Sequence, residues 1–165
     1  MAVYVQTTYL PSTKEIRDLL SELLDREITV APSAPLAPTP NNPCTVAVYV
    51  DDTLQVTSVI VFDLALSAHA GAAIGLVPSA GAEAAIEERT LNQTLRDNIY
   101  EVLNIAASLF NQASATHVRL YDAHHVGDPV PGDALARALT LGRREDLAVA
   151  VAGYGSGRLS VVLVA

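Results

Sequence analysis

The sequence predicts an α+β domain in which an extended, largely antiparallel sheet carries long helices packed on it. Three observations support this. Residues 44–62 and 146–165 each hold two β-rich runs joined by a turn signal, the pattern of a hairpin. Residues 13–26 and 91–110 place apolar side chains at helical spacing, so each helix has one face to lay on a core. The chain has 165 residues, half of them apolar, enough for one domain over 1–165 to bury a core without disulfide or metal support.

In order along the chain, residues 2–8 alternate weakly and suit an edge strand. Pro11 and the capping box Ser12-x-x-Glu15 then open a helix over 13–26, whose Ile16, Leu19, Leu20, Leu23 and Leu24 repeat at helical spacing. A short strand is expected at 28–30. Residues 31–43 hold five of the nine prolines, which deny backbone donors and enforce an extended path. In so small a chain this is read as a connecting loop rather than a proline-rich ligand for another domain. The first hairpin follows, 44–50 and 54–62 across Asp51-Asp52, and Asp63 caps a helix that ends at Gly75. From Ala80 to Gln112 there is no Pro and a single Gly, so the stretch is helical, with a break near Thr90. Residues 117–121 form the next strand, 122–132 a loop and 133–141 a short helix, before the closing hairpin of 146–152 and 158–165 with GYGSG as its turn.

Composition excludes several classes of function. Ten Lys and Arg against eighteen Asp and Glu give a formal charge of -8, which opposes binding to a phosphate backbone. Trp is absent and aromatics are 5%, so platforms for stacking bases are scarce. The lone Cys44 makes no internal disulfide, and residues 1–10 lack a secretory pattern, so the expectation is a cytoplasmic protein. The most apolar region, 54–78, is interrupted by Asp63, His69, Gly and Pro, so no membrane span is expected.

The informative feature is the helix over 91–110. At about 100° per residue, Leu91, Leu95, Ile99, Val102, Leu103, Ala106 and Phe110 share one broad side. Asp97, Glu101, Asn104 and Ser108, spaced by 4, 3 and 4, form a polar ridge on the other. A solvated face is the plain reading of such a ridge. Against it, Asn is a poor mid-helix residue, and the position four after Glu101 is Ile105, not a base that would pair with it. A carboxylate and a carboxamide one turn apart are neither a nucleophile nor a metal site, but they can position a water. Inserted into a partner's phosphorylated pocket, the amide orients a water in line with phosphorus while the carboxylate pairs with a cation there.

At this point the sequence resembles the CheC/CheX chemotaxis phosphatases, which dephosphorylate the aspartyl-phosphate of the response regulator CheY. Their motif is an Asp or Ser, three residues, Glu, two residues, Asn, and a Pro more than twenty residues on. Asp97-x3-Glu101-x2-Asn104 matches its spacing, with Pro129 near the expected place. The element order resembles the single-motif CheX branch over most of 13–165. The resemblance implies a CheC-like fold and hydrolysis of a receiver's aspartyl-phosphate. In that reaction Glu101 engages the receiver Lys and Asn104 orients the attacking water; the rest of the polar ridge, Asp97 and Ser108, is read as contacting the partner. It implies no cofactor of the chain's own, since the receiver supplies Mg²⁺, and it allows a homodimer. The family often has Gly just before the Asn and Gly four residues after it, where this chain has Leu103 and Ser108; these departures bear on activity more than on fold. No second motif is present, because the acidic stretch 83–89 lacks a matching Asn.

Other clusters are read more plainly. Asp122, His124, His125 and Asp128 crowd one segment, but adjacent His residues on a loop rarely face one ion, so no metal site is expected. His69 and His117 are read as partly buried or surface residues rather than bases. GYGSG leads into a strand rather than a helix N-terminus and is read as a turn, not a phosphate cradle. Cys44 is an inert, buried thiol, and Ser67, Ser79 and Ser156 lack a nucleophile elbow. Two rivals to catalysis stay open: a non-catalytic CheC/CheX-fold binding module in signalling, and a structural homodimer joined through edge strands.

Overall fold

The computed structural model describes residues 7–112 and 115–164. The expected edge strand over 2–8 falls largely outside them; Thr7 and Thr8 are irregular, and the Thr7 carbonyl accepts from Thr116 N–H at 3.3 Å.

Helix α1 (Thr13–Leu24) starts at the expected capping box: Ser12 Oγ accepts from Glu15 N–H at 3.1 Å, and Glu15 Oε1 accepts from Ser12 N–H at 3.0 Å. Strand β1 (Ile28–Pro32) follows, then β2 (Cys44–Val50), β3 (Val56–Asp63) and α2 (Leu64–Ile74). Asp63 Oδ1 caps α2 by accepting from Leu66 N–H at 2.8 Å. The stretch 79–106 is helical and broken near Thr90 as expected, into α3 (Ser79–Glu88) and α4 (Gln93–Ala106), with a single 3₁₀ turn at Ala107–Leu109. Strand β4 (Arg119–His124), α5 (Gly132–Ala138), β5 (Arg144–Val151) and β6 (Gly155–Leu163) complete the chain. Among the described residues, no helix is long and apolar enough to cross a membrane.

The six strands form one sheet in the order β1-β5-β6-β3-β2-β4, every neighbour antiparallel. Each of the hairpins β2-β3 and β5-β6 joins strands consecutive in the chain; β3-β6 pairing joins the two hairpins, so β6 lies in the middle of the sheet. Helices α1 to α4 cover one face, where Tyr49, Ile60, Phe62, Leu159 and Val161 meet Ile16, Leu66, Leu95 and Ile99 in the main core. On the opposite face Val46, Val48, Val59, Val61 and Val162 pack beneath α5 and Leu36. Because β2 and β3 are covered on both sides, their sequences read as continuous apolar runs rather than alternating ones.

Three expectations need correction. The strand expected at 117–121 runs over Arg119–His124, so the expected loop 122–132 loses its first three residues. The side chain of Asn111 takes both backbone bonds of Val118 (Nδ2 to the carbonyl, 2.9 Å; N–H to Oδ1, 2.7 Å), and pairing with β2 as far as Val46↔His124 carries the strand onward. The proline-rich loop starts after β1 and is fastened to the far face, Leu36 being 1% exposed with its N–H donating to Ser160 Oγ at 3.1 Å. Finally, the turn of the last hairpin is Ala152 to Tyr154 with Gly153 at φ +83, whereas Gly155 and Gly157 lie within β6 beneath α2.

Burial of two imidazoles predicts a pH response. His69 in α2 is buried with Nδ1 unpartnered, and desolvation pushes its pKa below the ordinary value. Desolvation does the same to His125, assisted by the Arg96 guanidinium. The unfolded chain then binds more protons below the ordinary His pKa, about 6.5, so stability falls as pH drops through that value toward the lower folded ones. The urea midpoint is therefore expected to fall between pH 7.5 and 5.5, and His69→Leu to flatten the fall; an unchanged slope in that variant removes the assignment to His69.

Candidate functional site

Helix α4 begins at Asn92, whose side chain accepts from Leu95 N–H at 2.9 Å. Its apolar stripe, Leu95, Ile99, Val102, Leu103 and Ala106, is at most 3% exposed. Two of its polar side chains are committed to the fold. Asn98 donates from Nδ2 to the Gly71 carbonyl of α2 at 2.8 Å, and an added Cβ at Gly71 would stand 3.1 Å from the Leu95 carbonyl, so the two helices cross closely. Arg96 pairs with Asp128, whose other oxygen accepts from His125 N–H at 3.2 Å. These bonds, together with the core stripe, fix the helix's rotation about its axis.

With that rotation set, Asp97, Glu101, Asn104 and Ser108 are all exposed. Glu101 and Asn104 lie one turn apart on the outer side of a helix anchored on its inner side. Asp97 accepts from Gln93 Nε2 at 2.7 Å. Ser108 is outside the α-helix: the Ala107 N–H donates to the carbonyls of Asn104 and Ile105, so the chain tightens and Ser108 emerges from a 3₁₀ turn. The helical repeat read to residue 110 therefore stops four residues early. Tyr100, 43% exposed, flanks the ridge and adds an aromatic surface that the polar pattern did not single out. Leu103, at the position where the CheC/CheX motif often has Gly, is fully buried, so its side chain points away from anything approaching the ridge.

Pro129 belongs to the exposed loop that the Arg96–Asp128 pair ties to α4. Sequence reasoning missed this pair. Its members are thirty-two residues apart, and nothing local to either names the other. On its other side the loop meets the proline-rich loop across a cavity of about 450 Å³ lined by Pro38, Pro40, Pro43, Cys44, Pro129 and Leu135. Burial pushes the Cys44 thiol up to about 12, as expected of an inert core cysteine.

The His cluster divides between the two faces of the sheet. His124 pairs with Val46 and lines a cavity on the α5 side with Val48, Asp122 and Asp133, its Nε2 3.9 Å from Asp122 Oδ2. His125 lies toward α4, beside Arg96 and Asp128. Among the described residues no three His, Cys, Asp or Glu side chains are grouped to hold a metal ion. His117 is exposed, its Nδ1 3.3 Å from Asp52.

No family model and no curated protein matches the chain. Solved structures do. The middle domain of FliM from Vibrio alginolyticus superposes with a TM-score of 0.56 at 15% identity, covering 89% of this chain and 85% of that one. FliY from Thermotoga maritima gives 0.57 at 14%, covering 90% and 82%, and FliM in the FliM–SpeE complex from H. pylori gives 0.54 at 8%, covering 91% and 80%. At these identities the likeness shows the fold. The chain has the α+β architecture of the FliM and FliY middle domains, the CheC-like fold.

Proposed function

We propose that this chain acts in two-component signalling of the chemotaxis type, as a CheX-like phosphatase that hydrolyses the aspartyl-phosphate of a CheY-like receiver domain. The observation that carries the reading is the outward, adjacent placement of Glu101 and Asn104 on a helix that core packing and the Asn98 and Arg96 bonds hold rigid. A docking element of this kind must present its groups without rearrangement, because small misplacements cost catalysis heavily.

In the proposed reaction Glu101 pairs with a cation at the receiver site, and Asn104 holds a water in line with the phosphorus. The water oxygen bonds to phosphorus as the acyl oxygen–phosphorus bond breaks. The receiver's Asp leaves as carboxylate, and the water's proton passes to phosphate or solvent. Mg²⁺ is the receiver's own and offsets the charge on the phosphoryl oxygens. Asp97 and Ser108 contact the partner beside this pair, with Tyr100 on the flank. The buried Leu103 leaves the approach to the ridge open; of the two family departures, only Ser108 faces a partner.

The test is phosphate release from a phosphorylated receiver with Mg²⁺ present. Wild type is expected to accelerate it, and Asn104→Ala to lose about 10²-fold or more of that acceleration, the scale on which a positioned group acts in the transition state. A wild-type rate equal to the receiver's own removes the enzyme reading for that receiver.

A second reading is a binding module without catalysis. It is supported by the fold's occurrence in FliM, a protein solved in complex with SpeE, and by Ser108 at the ridge's end. Receiver binding that persists without turnover selects it. Homodimerisation through sheet edges is less well supported. Edge strand β1 carries Pro32, which has no N–H to donate, and on β4 the Ala123 N–H is already taken by Asp122 Oδ1 at 2.8 Å.

A further inference from the structure

We infer that Tyr49 is a positioning residue for the α4 ridge, holding Asn104 in place through the carbonyl that precedes it; this rests on the reading of Glu101 and Asn104 as the working pair. Tyr49 is in β2, fully buried, with its ring 5.2 Å from that of Phe110 and tilted by 58°. Its hydroxyl donates to the Leu103 carbonyl at 2.5 Å. That carbonyl lacks its usual helical partner: the N–H four residues on, at Ala107, donates instead to Asn104 and Ile105 as the chain enters the 3₁₀ turn. A buried carbonyl left unpaired is costly, so the tightening just after Asn104 depends on a donor arriving from outside the helix. Tyr49 is that donor.

Strand pairing is irregular on both sides of this residue. Pairing of β2 with β4 slips between Val48 and Tyr49, and pairing of β2 with β3 slips between Tyr49 and Val50. The extra residues are Tyr121 of β4 and Thr57 of β3, so both neighbouring strands bulge beside Tyr49. The consequence for the ridge is geometric. The Leu103 carbonyl and the Asn104 nitrogen belong to one peptide plane, and a bond to that oxygen fixes the plane from which the Asn104 side chain departs. Burial keeps the phenol's pKa well above its ordinary value, so the hydroxyl stays a donor at any working pH.

Tyr49→Phe removes the hydroxyl and keeps the ring; Phe110→Leu disturbs the same packing without touching the carbonyl. The side-chain amide signals of Asn104, identified by their loss in Asn104→Ala, are read by NMR, and kcat and KM are measured on a phosphorylated receiver. Expected in Tyr49→Phe are shifted or broadened Asn104 signals and a kcat lowered about tenfold with KM unchanged. In Phe110→Leu the melting temperature is expected to fall while signals and kcat stay. Asn104 signals unmoved in Tyr49→Phe, or moved equally by Phe110→Leu, overturn the inference. If wild type releases no phosphate, the catalytic reading fails, and the amide signals alone decide whether Tyr49 positions Asn104.

Discussion

Replacing Asp146 by Ala is expected to lower the unfolding free energy by about 3–5 kcal/mol, the cost of leaving a buried charge without its partner. Arg144 and Asp146 lie on the sheet face opposite α4, with side chains 6% and 11% exposed. The Arg144 guanidinium donates through Nε to both Asp146 oxygens at 3.1 and 3.0 Å. Its Nη1 reaches the carbonyls of Ala138 and Thr140 at 3.2 and 2.8 Å, closing the end of α5. Asp146 also accepts from the Ser160 hydroxyl, which in turn takes the Leu36 N–H, so one carboxylate fastens β5, β6, α5 and the proline-rich loop. Its loss strands a guanidinium in the interior and loosens the loop.

The same geometry predicts a contrast. Removing both charges, Arg144→Met with Asp146→Leu, is expected to cost far less than Asp146→Ala alone, because no charge is left unpaired. Urea unfolding of the three proteins measures this. With whole-domain stabilities of about 5–15 kcal/mol, the single variant is expected to be partly unfolded on warming. A single variant as stable as the double one removes the claim that the pair's cost lies in the stranded charge.

Gly157→Ala is expected to destabilise by about 3 kcal/mol or somewhat more, the upper part of the range for overpacking, since the clash is with backbone. A Cβ added at Gly157 would stand 2.4 Å from Leu66 N and 2.7 Å from Leu66 Cα, in the first turn of α2. That nitrogen is the one Asp63 caps, so relief of the clash pulls the helix from its cap as well as from the sheet. The control is Gly132→Ala, where an added Cβ meets nothing within 4 Å. Thermal melts of the two variants are expected to differ by well over 5 °C; equal melts would mean that α2 shifts freely and that close approach at Gly157 is unimportant.

Much of the architecture was legible in the residues. The capping box at Ser12, the Asp63 cap, the first hairpin and the break near Thr90 each rest on interactions within a few residues of one another, which is the range over which sequence patterns carry information. The polar ridge was legible for the same reason, since offsets of three and four residues define a helix face wherever the helix is placed. The end of that face was not. Past Ala106 the chain tightens into a 3₁₀ turn, and the Leu103 carbonyl beside it accepts from the hydroxyl of Tyr49, fifty-four residues away in sequence.

The glycines of GYGSG show the same limit. Read locally, Gly, Tyr, Gly, Ser and Gly make a turn; in the fold only the first has a turn's positive φ, and Gly157 is there because the backbone of α2 leaves no room for a side chain. The strand after residue 117 was displaced because β2 and Asn111, not local propensity, set its limits.

By itself, then, the sequence determined the α+β class, the order of elements and the set of side chains on the outer side of α4, because all three follow from periodicity and capping along the chain. Only the tertiary structure decided that Leu103 faces inward while Glu101 and Asn104 face out, that Arg96 and Asn98 are spent on holding the helix, and that His124 and His125 are parted by the sheet. Those outcomes depend on which distant segments pack together, and packing is a property of the whole chain's apolar surface rather than of any window within it.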